Sequence, residues 1–248
     1  MTDKKPMEIL MFTGPNGAGK TTIAGEYVKV NNIGLDYVNP DIYEKKFFSH
    51  VQDYIQRIVA AADYALEVRE QNLANRQSFM FETVVTEDQH EWLKLGYVKR
   101  AIEQGATLNS VIVLNRDVSV SLARNLERIS QGGHGVPEDT IRRRYDIFMG
   151  LLPEIIKLSK SATIYDNTDK PTIIGKKQGN SIDIIGDDIP NDEWLQRTLV
   201  NPLSADQDYT VRLLGKSEGR DRFTECFARG IKGIAPSTAK QADGNGKT

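Results

Sequence analysis

Short apolar runs closed by turn-forming residues alternate with longer stretches of helical spacing along the first two thirds of the chain. Ile9-Leu10-Met11-Phe12 is apolar at every position, which predicts a strand buried on both faces. Further strands are expected at residues 35–38, 79–81, 111–114 and 162–165, each separated from the next by a helical pattern. A long helix is expected after Asn39-Pro40-Asp41, with Ile55, Ile58, Val59, Ala62 and Leu66 on one face. Thr86-x-x-Gln89 reads as the capping box of a helix that carries Trp92, Leu93 and Val98. A later helix has Ile141, Tyr145, Phe148, Leu152 and Ile155 as its buried stripe. Strands that alternate with helices predict an α/β domain in which a parallel five-stranded sheet is flanked by helices.

Beyond residue 170 the period changes. Thr172-Ile173-Ile174-Gly175 and Ile182-Asp183-Ile184-Ile185, with a turn at residues 177–180, predict a hairpin, and a helix follows around Trp194-Leu195. The domain is therefore drawn over residues 1–199, with 200–248 as an appendage that turns small and polar after Gly233 and reads there as disordered. It could cap the domain, cover an acceptor site or bind a partner.

Composition narrows the class without naming a chemistry. The chain has 248 residues, a formal net charge of −2, and one cysteine, Cys226. A near-neutral balance argues against a molecule-wide nucleic-acid surface, and a lone cysteine forms no internal disulfide. The polar start, Met1 to Pro6, shows no secretory signal, and no apolar run is long enough to span a membrane. Residence in the cytoplasm is the expectation.

The chemistry lies in Gly14-Pro15-Asn16-Gly17-Ala18-Gly19-Lys20-Thr21, which fits G-x-x-x-x-G-K-[ST] between a strand and a helix. Glycines let successive backbone N–H groups and a helix N-terminus face a chain of phosphates. Lys20 is expected on the β- and γ-phosphates of ATP, Thr21 on Mg²⁺, and Thr22 beside them. In a parallel sheet the ligand lies beyond the carboxyl ends of the strands. That places Asp41, after the second strand, and Glu82, at the end of the third, on one rim with Thr83. Asp41 also reads as a helix N-cap, and Glu82 as a solvated strand end. Together the acids suit transfer to a hydroxyl, one taking its proton and the other holding acceptor or metal.

Arg124 and Arg128 share a face of the helix that opens near Asp117, ahead of Gly132-Gly133-His134-Gly135 and of a second helix with Pro137 in its first position. Arginines at the base and glycines at the tip predict a helical lid that brings guanidinium groups to the γ-phosphate; solvated surface arginines are the simpler reading. Arg144 or Arg142 is placed to reach a nucleotide. His134 reads equally as a lid contact, a turn residue or a bystander.

The phosphate loop, Asn39-Pro40-Asp41, Phe81-Glu82-Thr83, and the block from Arg128 to Tyr145 resemble the zeta-toxin family of P-loop kinases, in particular its Gram-negative branch, from about residue 8 to about Asn167. The resemblance implies a P-loop NTPase of nucleoside-kinase type whose better-known members phosphorylate the amino-sugar 3′-hydroxyl of UDP-N-acetylglucosamine and act as toxins. It implies Asp41 as the base on the acceptor hydroxyl, Lys20 on phosphate, Arg124 and Arg128 on the transferring group, and Glu82 by the acceptor. An antitoxin or inhibitor protein is the implied partner. The short polar arm before Met7 replaces the helical segment near which the classical antitoxin docks, so the resemblance does not extend to that partner. Two other classes stand beside this one. One is a kinase of the same architecture acting on a free sugar, an antibiotic or a nucleic-acid 5′ end; the other is a regulatory NTP-binding module without acceptor chemistry.

Overall fold

A computed structural model describes residues 6–86, 95–133 and 135–216. Its centre is strand β1 (Met7–Thr13), in which all but Glu8 are buried. Successive side chains alternate between two layers. Met7, Ile9 and Met11 enter one core with Phe79, Phe81, Phe148 and Ile155, while Leu10 and Phe12 enter another with Ile23, Ala24 and Val113. This two-sided burial is why the run is apolar throughout rather than alternating.

Strands β2 (Asp36–Val38), β3 (Phe79–Thr83), β4 (Ala106–Leu114) and β5 (Ser161–Asp166) join β1 in the order β2-β3-β1-β4-β5, all parallel. The order reverses at β1, so a crevice opens at its carboxyl end, where the glycine-rich loop begins. The sheet does not stop at five strands. The predicted hairpin forms β6 (Thr172–Gln178), antiparallel to β5, and β7 (Ser181–Ile185), antiparallel to β6. β8 (Thr210–Leu214) then pairs parallel to β7 and makes an eight-stranded sheet. No strand pattern stands out there because β8 is an exposed edge, with only Val211 and Leu214 partly covered. Residues 217–248, and the reading of their end as disordered, lie outside the described residues.

The helices follow the expected order with two changes. After α1 (Lys20–Val30), the helix expected past Pro40 is two: α2 (Pro40–Phe47), capped by Asn39, and α3 (Tyr54–Ala74), capped by Asp53. Asp41 is thus not the cap; its N–H donates to Asn39 Oδ1 at 2.8 Å. Nor does α3 bury its branched stripe. Ala61, Ala65 and Leu73 face the core, while Ile55 is 62% exposed and Val59 50%. Of the helix expected after Thr86, α4 (Leu95–Glu103) is described and buries Val98; Gln89, Trp92 and Leu93 lie outside the described residues.

The two-helix element keeps its expected form. α5 (Val118–Ser130) is capped by Asp117, and α6 (Glu138–Leu158) starts one residue after Pro137. Ile141, Tyr145, Phe148, Leu152 and Ile155 are all buried, as their spacing requires. Phe148 is fully buried against the sheet. Phe148→Ala is expected to destabilise the fold by about 3–5 kcal/mol, measurable as a lowered denaturant midpoint at unchanged slope.

Candidate active site

A cleft of about 840 Å³ opens at the carboxyl end of β1. Its floor is the phosphate loop. Gly17 and Gly19 have φ of +71° and +88°, a left-handed backbone that favours glycine. The loop is also too crowded for side chains: a Cβ on Gly19 would lie 2.4 Å from Asn167 Nδ2, and one on Gly17 would lie 2.8 Å from Ser121 O. Gly19 caps α1 without any side-chain hydrogen bond, which leaves the first N–H groups of α1 available to an anion. Asn16, Thr21 and Thr22 line the cleft, while Gly14, Pro15 and Ala18 are buried.

Lys20 Nζ donates to Gly14 O at 3.0 Å and to Pro15 O at 2.9 Å. Burial pulls its ammonium from the usual lysine range down to about 8; Glu82 and Asp41 hold it up, and Arg144 pushes it lower. Anion binding requires the protonated form. ATP affinity is therefore expected to fall as pH rises through about 8, approaching about tenfold per further pH unit, with proton uptake on binding in that window. Titration calorimetry across this range checks it, and Lys20→Ala should flatten the profile.

Glu82 stands opposite. Its Oε2 accepts from Thr21 Oγ1 at 2.8 Å and its Oε1 from Asn39 Nδ2 at 3.4 Å. Desolvation raises its carboxyl above the ordinary range, and the Thr21 bond and Lys20 oppose that shift. A hydroxyl beside a carboxylate is a hard-oxygen donor set that suits Mg²⁺ held with phosphates. No cluster of three or more His, Cys, Asp or Glu forms a metal site among the described residues. Asp41, exposed in the first turn of α2, lines the same cleft. Thr83 does not. Adjacent strand residues face opposite sides, so with Glu82 in the cleft Thr83 turns into the sheet, buried opposite Thr13.

The arginines differ in what they touch. Arg124 grips the loops: it donates to Gly17 O and Asn115 Oδ1, both at 3.2 Å, to Asn167 O at 2.7 Å, and to Thr168 O at 3.1 Å. These contacts tie the phosphate loop to the ends of β4 and β5. Arg128 lines the cleft one turn further along α5, and Arg144 enters from α6. Arg142 is paired with Glu138 on the surface instead. The glycine segment is stitched by Asn125, whose side chain donates to Val136 O at 3.0 Å and accepts from Val136 N at 2.9 Å. His134 lies outside the described residues.

The sequence did not assign several residues in and behind the cleft to the site. Asn115 and Asn167 act through backbone and amide contacts that only the fold assembles. Tyr54, Ile58, Val59, Ala62 and Asp63 of α3 form a wall of the cleft. Ile58, Val59 and Ala62 were legible as part of a helix face with Ile55 and Leu66, but not the side to which it turns.

No family model and no curated protein matches the chain. Solved structures do. A chain of the AvrRxo1-ORF1:AvrRxo1-ORF2 complex with sulphate ions is similar at TM-score 0.55 and 15% identity, over 79% of this chain and 65% of that one. The same complex with ATP gives TM-score 0.51 at 15% identity, over 72% and 60%. The chain shares the fold of these structures, an α/β sheet with a P-loop at the carboxyl end of its central parallel strand. It spans about two thirds of the length of these relatives, 65% in the first. The PezAT toxin-antitoxin system of Streptococcus pneumoniae is a more distant likeness, at TM-score 0.44 and 16% identity over 69% and 72%.

Proposed function

We propose that the protein is an ATP-dependent phosphotransferase that moves the γ-phosphoryl group to a hydroxyl of a small acceptor. The observation that carries this reading is the presence of two carboxylates, Asp41 and Glu82, in the same cleft as Lys20 and the phosphate loop. An NTP-binding module has no need of a base beside the γ-phosphate.

The residues divide the work. Lys20 exchanges Gly14 O and Pro15 O for phosphate oxygens, and the N–H groups at the start of α1 hold the same chain. Thr21 and Glu82 would hold Mg²⁺, which when bound offsets charge on the β- and γ-phosphates. Asp41 accepts the acceptor hydroxyl proton as the new O–P bond forms and the bond from the γ-phosphorus to the bridging oxygen breaks, releasing ADP. Arg128 and Arg144 offset charge on the group in transit, and Arg124 keeps the loops in register.

UDP-N-acetylglucosamine or a related nucleotide sugar is the acceptor that the zeta-toxin resemblance favours. Action as a cytoplasmic toxin restrained by a partner protein belongs to the same reading; the two-protein AvrRxo1 complex whose fold the chain shares, and its form with ATP, lend it support. Among the described residues no helix is long and apolar enough to cross a membrane. Acceptor-dependent ADP release is the test: release stimulated by UDP-N-acetylglucosamine supports the sugar-kinase form, and release unmoved by UDP-sugars, free sugars and nucleosides alike contradicts a small-molecule kinase.

A further inference from the structure

The cleft is divided by charge. Lys20, Arg124, Arg128 and Arg144 gather on the side of the phosphate loop, α5 and α6, where the triphosphate belongs. The first turns of α3 line the cleft as well. Tyr54, Ile58, Val59, Ala62 and Asp63 recur at spacings of four, one, three and one, so they occupy one face of its first turns. Further along the helix the same side enters the core through Ala65 and Leu73, and Ala62 is itself buried, so the surface open to the cleft is that of Ile58, Val59 and Asp63 in the first turns. Branched apolar side chains with Val59 half exposed are poorly placed for water and well placed against a ring. Asp63, exposed at the edge of this face, has no hydrogen bond or ion pair among the described residues.

We propose that this face of α3 selects the acceptor. It takes a sugar or base ring flat against Ile58 and Val59, and Asp63 accepts a hydrogen bond from a hydroxyl or ammonium at the ring edge. The inference rests on the phosphotransferase reading, because it assumes that the acceptor enters opposite the triphosphate. It adds a recognition surface that neither the phosphate loop nor Asp41 supplies.

The test is titration calorimetry of the full chain loaded with the ATP analogue AMP-PNP, using UDP-N-acetylglucosamine, uridine and glucosamine as probes. At least one probe is expected to bind. Val59→Asp should weaken it about tenfold or more, in line with the worth of a small apolar contact in a pocket. Val59→Ile should retain it, and AMP-PNP affinity should hold in both variants. Asp63→Asn separates the two kinds of donor: glucosamine should weaken sharply if its ammonium is read, and uridine only slightly. Binding unchanged in both Val59→Asp and Asp63→Ala overturns the proposal, as does a wild-type protein that binds none of the probes. A probe that binds through α3 yet is never phosphorylated leaves this inference standing and removes the kinase reading. Transfer that ignores both α3 variants does the reverse.

Discussion

Asp41→Asn is expected to lower phosphoryl transfer by about 10² to 10⁴ while leaving nucleotide affinity nearly unchanged. The substitution keeps the shape of the side chain and removes only its capacity to accept a proton. Nothing structural hangs on the carboxylate: Asp41 is exposed, and its one hydrogen bond into the cap runs through its backbone N–H to Asn39. The helix start should therefore survive, and with it the approach to Lys20. Single-turnover transfer beside AMP-PNP binding separates these outcomes. Transfer at the wild-type rate would remove Asp41 from its role as base and turn attention to Glu82. Glu82, however, is already engaged by Thr21 and Asn39.

Lys20→Ala is expected to act on binding and on rate together, with a loss of about 10² to 10³ in kcat/KM from the missing stabilisation of charge in transit. Its effect on folding should run the other way. The ammonium is buried at a desolvation cost large enough to pull it down to about 8, and among the described residues it is hydrogen-bonded by Gly14 O and Pro15 O. Removing it should leave Tm unchanged or slightly higher, while ATP ceases to raise Tm. A variant that unfolds would instead make Lys20 a structural tie of the loop.

The inner half of the molecule was legible because local chemistry fixes it. A glycine-rich loop between an apolar strand and a helix has one well-known use, and the stripe on α6 has one place to go. Legibility failed where position depends on distant partners. Arg124 sits on the predicted face beside Arg128, but what it grips comes from the ends of three strands, and no spacing encodes that. Ile58, Val59 and Ala62 of α3 have the pattern of a core stripe because a wall for a ligand and a wall for a core use the same residues. β8 stayed hidden because an edge strand buries little.

The most direct test of the central claim is ³¹P NMR of the protein with Mg·ATP and UDP-N-acetylglucosamine, in parallel with Asp41→Asn. The account predicts a sugar-phosphate resonance that grows as the γ-phosphate signal falls, and that the variant does not produce. Loss of γ-phosphate to inorganic phosphate alone, at equal rates in both proteins and for every hydroxylated acceptor offered, would contradict it.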